Sequence, residues 1–301
     1  MKYGTVLGVP KKISKLVIGS DSFSEDREEA AYELLDAFFE VGGNTIDMAH
    51  IYGGGAGQRV VGRWMKARGN RDEVVLFDKG CHHSDRNRVT PEDIDADLSA
   101  NLERLQVDCV DLFSFHRDDP TYPVGPLVEK LNEHLRVGRV CGFGGSNWTT
   151  ERVAEFNSYA AEHGLQGFSL NNPNMSLATV NEPHWANCHS ITPEEKEWHR
   201  ANQFPLFSWS SQGGGFFAGR ESADIKRVYW NETNWKRKER AEKMAAEKGV
   251  PVVGLCLAYV LNHPFPTWAL IGPRKPDELS DSLAGLDVEL ATSELHWLEG
   301  G

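Results

Sequence analysis

Short apolar runs alternate with longer amphipathic segments along the whole chain. Eight of these runs are rich in Val, Ile, Leu and Phe and end at glycine or polar residues, which is typical of buried β-strands. The eight predicted strands are 15–19, 44–49, 74–80, 109–116, 139–147, 167–171, 205–211 and 267–272.

The segments between these runs have helical spacing and suitable ends. In 27–43, Leu34, Leu35 and Phe38 fall on one face, and two glycines end the segment. The segment 90–106 begins with Thr-Pro and has acidic residues near the positive end of the helix dipole. Further helices are predicted in 149–164, 235–249, 250–264 and 275–286.

Eight strand–helix alternations without a break in composition favour an α/β fold, a single (β/α)8 TIM barrel over residues 1–301. The rival is a doubly wound open sheet. Its first strand–helix turn would be "GSDSFSEDREE", which lacks the glycine fingerprint for phosphate. The longest irregular stretch is 171–195, and a loop of that length usually serves function or is disordered.

Composition and charge narrow the range of partners. Hydrophobic residues make up 40% of the 301 residues and charged residues 25%, as in ordinary globular proteins. A formal charge of -12 makes nucleic acid an unexpected partner. No stretch approaches the length of a membrane span, and the N-terminus lacks the apolar core of a secretory signal, so no membrane association is expected. Five scattered cysteines without a CxxC pair indicate free thiols in a reducing cytoplasm.

Four reactive side chains follow consecutive predicted strands: Asp47, Tyr52, Lys79 and His116. In a TIM barrel the carboxyl ends of the strands hold the chemistry. A tyrosine with a pKa of about 10 is a poor acid, and a nearby ammonium group should lower that pKa while the carboxylate positions the lysine. The histidine could orient a substrate oxygen. The order of the four residues therefore predicts a proton-donating site.

The motifs "TIDMAHIYGGG", "LFDKG" and "FSFHRDD", in that order and spacing, resemble the signature segments of the aldo-keto reductases. The resemblance covers nearly the whole chain. It implies a nicotinamide cofactor, NADPH slightly favoured over NADH, bound across the barrel mouth without a Rossmann domain. It also implies that Tyr52 is the general acid, that Asp47 and Lys79 tune it, and that His116 orients the carbonyl.

The resemblance further implies a set of cofactor contacts. Ser146 and Asn147 in "GFGGSNW" match residues that bind the nicotinamide carboxamide, and Asn171 falls where the family usually has glutamine. The remaining implied contacts are Ser210, Gln212 and Gly214 at the pyrophosphate and Arg274, Glu278, Asp281 and Ser282 towards the adenine.

Two departures from the family pattern bear on charge. Asp78 stands where threonine is common, which should make the site more negative. Glu278 stands where relatives that prefer NADP often carry arginine or glutamine, and a carboxylate would repel a 2′-phosphate. Arg274 and Lys275 could provide that contact instead, so the choice between NADPH and NADH stays open.

Three aromatic residues are candidates for the substrate pocket: Trp148, His184 and Trp185. Aromatic faces with polar neighbours hold sugar rings and small carbonyl compounds, although a tryptophan at a strand end can equally be barrel packing. Because the long loop is also polar, the pattern favours a sugar derivative or another small carbonyl substrate.

The function predicted from the sequence is reversible hydride transfer between nicotinamide and the carbonyl of an aldehyde, ketone or sugar derivative. One alternative is a non-catalytic nicotinamide-binding subunit, which would need the same cofactor residues. Another is a metal-dependent barrel isomerase or hydrolase using His82, His83, Asp85 and His116. That alternative is disfavoured because the first strand carries no HxH motif. Substrate, reaction direction and oligomeric state stay open.

Overall fold

Eight parallel strands form a closed barrel in the computed structural model, which describes all residues from Met1 to Gly301. The strands are β1 (Leu16–Gly19), β2 (Thr45–Asp47), β3 (Val75–Gly80), β4 (Val110–Phe115), β5 (Val140–Ser146), β6 (Leu170–Asn172), β7 (Leu206–Ser208) and β8 (Thr267–Ile271). Backbone pairing of β8 with β1 closes the ring. The predicted (β/α)8 barrel is therefore confirmed.

Helices surround the barrel and connect its strands. They are α1 (Glu28–Glu40), α2 (Ala56–Arg68), α3 (Pro91–Leu105), α4 (Val124–Arg136), α5 (Thr150–Glu162), α6 (Pro193–Asn202), α7 (Ala223–Tyr229), α8 (Glu232–Lys248), α9 (Val252–Leu261), α10 (Asp277–Ala284) and α11 (Thr292–Glu299). No single helix is both long and apolar enough to cross a membrane; α8 and α9 meet that standard only as a pair, and they are bent by 98°.

Several boundaries differ from the prediction, for example in β7, which is Leu206–Ser208 rather than 205–211. The sixth strand is Leu170–Asn172 rather than 167–171, and α6 begins at Pro193, inside the stretch predicted to be irregular. A two-stranded hairpin of Tyr3–Gly4 and Ile13–Ser14, which the pattern did not predict, lies before β1.

The core lies in two layers that follow from the alternation of side chains along each strand. A cluster of 62 buried residues fills the space between barrel and helices. A second cluster of 11 residues, among them Phe77, Leu112, Phe207 and Trp268, fills the barrel interior. Because the interior is packed with side chains, space for a ligand remains at the mouth of the barrel.

Candidate active site

A cavity of about 1020 Å³ opens at the carboxyl-terminal mouth of the barrel. All four residues predicted to be catalytic line it: Asp47 at the end of β2, Tyr52 in the following turn, Lys79 in β3 and His116 after β4. The barrel thus brings together side chains that are up to 69 positions apart, from Asp47 to His116.

A tight turn places Tyr52 over the cavity. After β2 the chain enters a short 3-10 turn, Tyr52–Gly55, in which Gly53 and Gly54 have φ values of 55° and 61°. Glycine adopts this left-handed conformation without the steric cost that other residues meet. As a result the tyrosine ring stands edge-on to the His116 ring, with the centroids 5.7 Å apart.

Strand alternation directs Lys79 into the barrel. Within β3, Phe77 and Lys79 face the interior and Asp78 faces the helices. The Lys79 ammonium group donates a hydrogen bond to Asp47 Oδ1 and lies 3.5 Å from Tyr52 Oη, to which it can also donate. Because the tyrosine oxygen faces a donor, the tyrosine's own hydrogen is free to be donated to a substrate.

The electrostatics of Tyr52 correct one expectation. Burial raises the pKa of Tyr52 well above its usual range, and the carboxylates of Asp47 and Asp21 raise it further. The net shift is therefore opposite to the lowering expected from Lys79, because desolvation of the phenolate is the largest cause and outweighs the opposing charge of Arg117. Tyr52 keeps its proton at neutral pH, which is the form that a proton donor needs.

His116 is held in the neutral state. Burial lowers the pKa of His116 well below its usual range, and the charges of Lys79 and Arg117 lower it further. Its Nδ1 atom is buried and makes no hydrogen bond within the protein. A neutral imidazole offers one donor and one acceptor, so His116 can orient a carbonyl oxygen without becoming charged.

Ser146 and Asn147 both line the cavity at the end of β5. The Ser146 hydroxyl donates to the Asn172 carbonyl oxygen (3.1 Å). The Asn147 amide donates to the His116 carbonyl oxygen (3.1 Å) and accepts from the His189 backbone N–H (3.0 Å). These hydrogen bonds tie β5 to β4. They also stabilise the backbone of Asn147, whose φ of 63° is a sparsely populated conformation for a residue other than glycine.

Asn172, and not Asn171, faces the cavity from β6. The Asn171 side chain points away and donates to the Trp148 carbonyl oxygen (3.3 Å), so the prediction of Asn171 as a cofactor contact is wrong by one position. On a strand, one position reverses the side-chain direction. The Oδ1 atom of Asn172 is buried and has no partner in the protein, and it could accept a hydrogen bond from a ligand amide.

The predicted phosphate and adenine segments form one continuous wall of the cavity. Ser210, Gln212 and Gly214 follow β7, and Arg274, Glu278, Asp281 and Ser282 follow β8; all seven line the cavity. The Gln212 amide donates to the Ser282 hydroxyl (3.3 Å) and links the two segments. Both segments therefore present polar side chains to the same cavity.

The charge of Glu278 is already engaged within the protein. Its carboxylate accepts hydrogen bonds from the Arg220 guanidinium (3.3 Å) and the Arg274 backbone N–H (2.9 Å). Arg220 also lines the cavity, and the sequence motifs did not single it out. The region predicted to contact the adenine end therefore combines two acids, Glu278 and Asp281, with two arginines.

Asp78 does not make the site more negative in the way that its position suggested. The carboxyl group is buried behind the barrel wall and accepts from Gln58 Nε2 at both oxygens (2.9 and 3.0 Å). Burial raises the pKa of Asp78 to about 7, so a substantial fraction is protonated at neutral pH.

Two of the three predicted substrate residues lie outside the cavity. Trp148 is fully buried among Phe115, Phe156 and Phe168 and donates to the Arg117 carbonyl oxygen (3.2 Å). His184 lies behind the cavity wall, with Nε2 3.0 Å from the Tyr229 hydroxyl oxygen. Both predictions are corrected, since Trp148 serves barrel packing and His184 supports a loop.

Trp185 and Trp209 form the aromatic part of the wall. Trp185, the third predicted substrate residue, lines the cavity and is 62% exposed in this structure. Its ring centroid is 6.3 Å from that of Trp209, which also lines the cavity. An apolar planar group would find favourable contacts here.

Arg117 is a second charged residue of the cavity, besides Arg220, that was not predicted from the sequence. It lines the cavity directly after His116, at the carboxyl end of β4. The motif "FSFHRDD" contained this signal, because a residue at a strand end of a TIM barrel lies at the mouth.

No group of three or more His, Cys, Asp or Glu side chains is arranged to hold a metal ion.

Comparison with known proteins gives a consistent result. The model of the aldo/keto reductase family matches residues 15–300. Norsolorinic acid reductase A of Aspergillus parasiticus is 27% identical over 312 residues, which cover 96% of this chain and 77% of that protein. An aryl-alcohol dehydrogenase of Pestalotiopsis microspora is also 27% identical over 312 residues, covering 96% and 79%. A crystal structure of a thermostable aldo-keto reductase with the inhibitor epalrestat superposes with a TM-score of 0.77 at 21% identity, covering 99% of each chain.

Proposed function

Because the chain belongs to the aldo/keto reductase family, whose members are oxidoreductases acting on carbonyl and CH–OH groups, we propose that it reduces an aldehyde or ketone with a nicotinamide cofactor and Tyr52 as the proton donor. The observation that carries the proposal is the arrangement of Asp47, Lys79 and Tyr52, in which the lysine ammonium group joins the carboxylate to the tyrosine oxygen.

The residues of this chain divide the acid–base work. A nicotinamide cofactor, when bound along the segments after β7 and β8, would supply or accept the hydride. Tyr52 donates its proton to the substrate oxygen as negative charge develops there. Lys79 faces the tyrosine oxygen at 3.5 Å and stabilises the phenolate that remains, while Asp47 keeps the ammonium group charged and in place. His116 fixes the carbonyl oxygen by a hydrogen bond. In the reverse direction Tyr52 acts as the base.

The cofactor site rests on the wall between Asn172 and Ser282. The unpartnered Oδ1 of Asn172 would accept from the carboxamide, and the segments after β7 and β8 would hold the phosphates and the adenosine. NADPH and NADH both fit these residues: Arg274 favours a 2′-phosphate and Glu278 opposes it. Comparing the two cofactors as substrates and by equilibrium binding determines the preference.

An aromatic carbonyl compound is the proposed substrate class. Trp185 and Trp209 provide an apolar wall, and relatives at low identity carry the names norsolorinic acid reductase and aryl-alcohol dehydrogenase. A sugar derivative, which the polar loop favoured, loses the support of His184 because that side chain lies behind the wall.

Tyr52→Phe tests the proposal. Removing the hydroxyl removes the proton donor but little volume, so kcat/KM for an aromatic aldehyde should fall by about 10²- to 10⁴-fold. The measurement follows nicotinamide absorbance, and fluorescence titration should show that the variant still binds the cofactor.

Tyr32→Phe is the matched control. The Tyr32 hydroxyl donates to Glu28 on α1, and Tyr32 does not line the cavity, so kcat/KM should stay within a few-fold of the wild type. Near-normal turnover by Tyr52→Phe would contradict the assigned role. A wild-type protein that binds cofactor but turns over no carbonyl compound would favour the non-catalytic subunit instead.

A further inference from the structure

Arg117 is a buried guanidinium group without a carboxylate partner. Its residue is only 4% exposed, and yet it lines the cavity. Nη1 donates to the His116 carbonyl oxygen (2.8 Å) and Nε donates to the Ala186 carbonyl oxygen (3.3 Å), whereas Nη2 makes no hydrogen bond within the protein. No Asp or Glu oxygen lies within 4.0 Å of its nitrogen atoms.

Two other partly buried arginines have the carboxylate partner that Arg117 lacks. Arg152 pairs with Asp118 (3.1 Å), and Arg88 pairs with Asp97 (2.6 Å). A buried charge without a counter-ion is costly, because desolvation is not offset by an opposite charge. Burial accordingly lowers the pKa of Arg117, although an arginine stays charged in proteins. The missing counter-charge is the feature that a ligand could supply.

The groups around Arg117 leave this side of the mouth positive. His82 and His83 line the cavity beside it, and burial lowers the pKa of both, so they are mostly neutral at neutral pH. Burial raises the pKa of the neighbouring Cys188 thiol, which keeps it uncharged. The acids of the cavity near Tyr52 are Asp47 at the end of β2 and Asp21 after β1. An anionic substituent would therefore be directed to the β4 side.

We propose that Arg117 binds a carboxylate group of the substrate, so that the preferred substrates are aromatic aldehydes or ketones that carry a carboxylate. The inference rests on the proposed function and narrows it. Nη2 of the charged guanidinium group has no partner in the protein and can donate to a carboxylate oxygen, and such charge-assisted hydrogen bonds are strong. Trp185 and Trp209 provide the aromatic wall of the same cavity. The cofactor phosphates would lie elsewhere, along the segments after β7 and β8.

Matched substrates test the proposal directly. The 2-, 3- and 4-formylbenzoates and their methyl esters differ by one negative charge at a defined distance from the carbonyl. For the wild type, kcat/KM should be about 10- to 100-fold higher for at least one formylbenzoate than for its ester. In Arg117→Gln this ratio should fall close to one, and Arg117→Lys should restore much of it because the positive charge returns.

Arg152→Gln is the matched control, since it removes a nearby arginine whose charge Asp118 already neutralises. Its acid-to-ester ratio should equal that of the wild type. Calorimetric titration measures ligand binding without turnover, with benzoate as the charged ligand and benzamide as its uncharged counterpart. Benzoate should bind the wild type at least 10-fold more tightly than it binds Arg117→Gln.

The outcomes separate the two proposals. Equal kcat/KM for every formylbenzoate and its ester in the wild type overturns the role of Arg117 and leaves the reductase function standing. If Arg117→Gln has the same ratio of kcat/KM for acid to kcat/KM for ester as the wild type, the role of Arg117 is likewise overturned and the reductase function stands. No turnover of any of the six compounds with NADPH or NADH overturns the reductase function, on which the substrate assignment depends.

Discussion

At the residue scale, Asp78 couples the protonation of a buried carboxyl group to the stability of the strand that carries Lys79. Its pKa in the folded protein is about 7 because of burial, although the Gln58 hydrogen bonds oppose the shift. In the unfolded chain the pKa of an aspartate is about 4. The folded state therefore binds this proton more tightly. The group's stabilising contribution is complete below pH 4 and is lost as the pH rises through 7.

Asp78→Asn should remove this pH dependence. The quantity to compare is the free energy of unfolding of the wild type minus that of the variant. We expect this difference to decrease by about 4 kcal/mol between pH 4 and pH 8, because a shift of about three pKa units corresponds to that free energy. Urea unfolding at a series of pH values measures it. Asp93→Asn is the control, and the stability difference between wild type and this variant should change with pH in the opposite direction. The pKa of Asp93 is lowered, since hydrogen bonds from Arg86 and Thr90 outweigh burial, so its contribution is lost as the pH falls. A difference that does not vary with pH would contradict the assignment for Asp78.

Residue types and strand ends were enough to predict which side chains meet at the mouth. Asp47, Lys79 and His116 each follow or end a strand, and their places in a barrel follow from that fact. The direction in which each side chain points could not be predicted from strand ends in the same way. The placement of Asn172 depends on where β6 begins, and a shift of one residue selected Asn171 instead. Trp148 shows the same limit, since packing decides whether an aromatic residue faces a ligand or the core.

At the element scale, a buried carboxylate, Glu195, fixes the C-terminal end of the loop between β6 and α6. Glu195, in the first turn of α6, accepts from the Thr150 and Thr192 backbone N–H groups (3.1 and 2.8 Å) and pairs with His189 (2.7 Å). The same loop contains Trp185, and the Ala186 carbonyl oxygen accepts from Arg117. The order of the cavity wall therefore depends on Glu195.

Glu195→Gln should loosen this loop. The amide retains one acceptor oxygen in place of two, so we expect a loss of about 1–3 kcal/mol in the free energy of unfolding. Limited proteolysis should cut faster between residues 173 and 192, and KM for an aromatic aldehyde should rise. The exposed neighbour Glu194→Gln is the control and should leave the cleavage rate unchanged. Equal cleavage rates for the two variants would show that other contacts hold the loop.

All eight strands were predictable because each is a short apolar run between turn residues. Several helices were not predicted, and α2 shows why. It begins directly after Gly53–Gly55, and it carries Gly57 and Gly62, which the pattern does not favour in a helix. Those glycines are explained by packing: a Cβ atom at Gly62 would lie 2.6 Å from the Leu105 carbonyl oxygen. Tertiary contact therefore overrides local propensity in the helix that follows Tyr52.

At the scale of the whole molecule, closure of the barrel makes the two ends of the chain mutually dependent. β8 forms backbone pairs with β1, and the cavity wall is built both from residues after β1, such as Asp21, and from residues after β8, such as Ser282. The whole chain has a formal charge of -12, whereas the cavity lining carries four cations, Lys79, Arg117, Arg220 and Arg274, and four acids, Asp21, Asp47, Glu278 and Asp281. This balanced lining repels an anionic ligand less than the acidic surface around it does.

The single domain predicted over residues 1–301 should therefore unfold in one cooperative transition. Trp64 packs between α1 and α2 in the outer layer, with its indole N–H donating to Asp36 (2.8 Å), and Trp268 stacks on Phe207 inside the barrel. Replacing either by alanine should cost about 3–5 kcal/mol. Each variant should shift the far-UV and near-UV circular dichroism transitions together to a lower denaturant concentration. If Trp64→Ala shifted one phase of a biphasic curve and Trp268→Ala the other, the two layers would unfold separately and the single cooperative unit would be wrong.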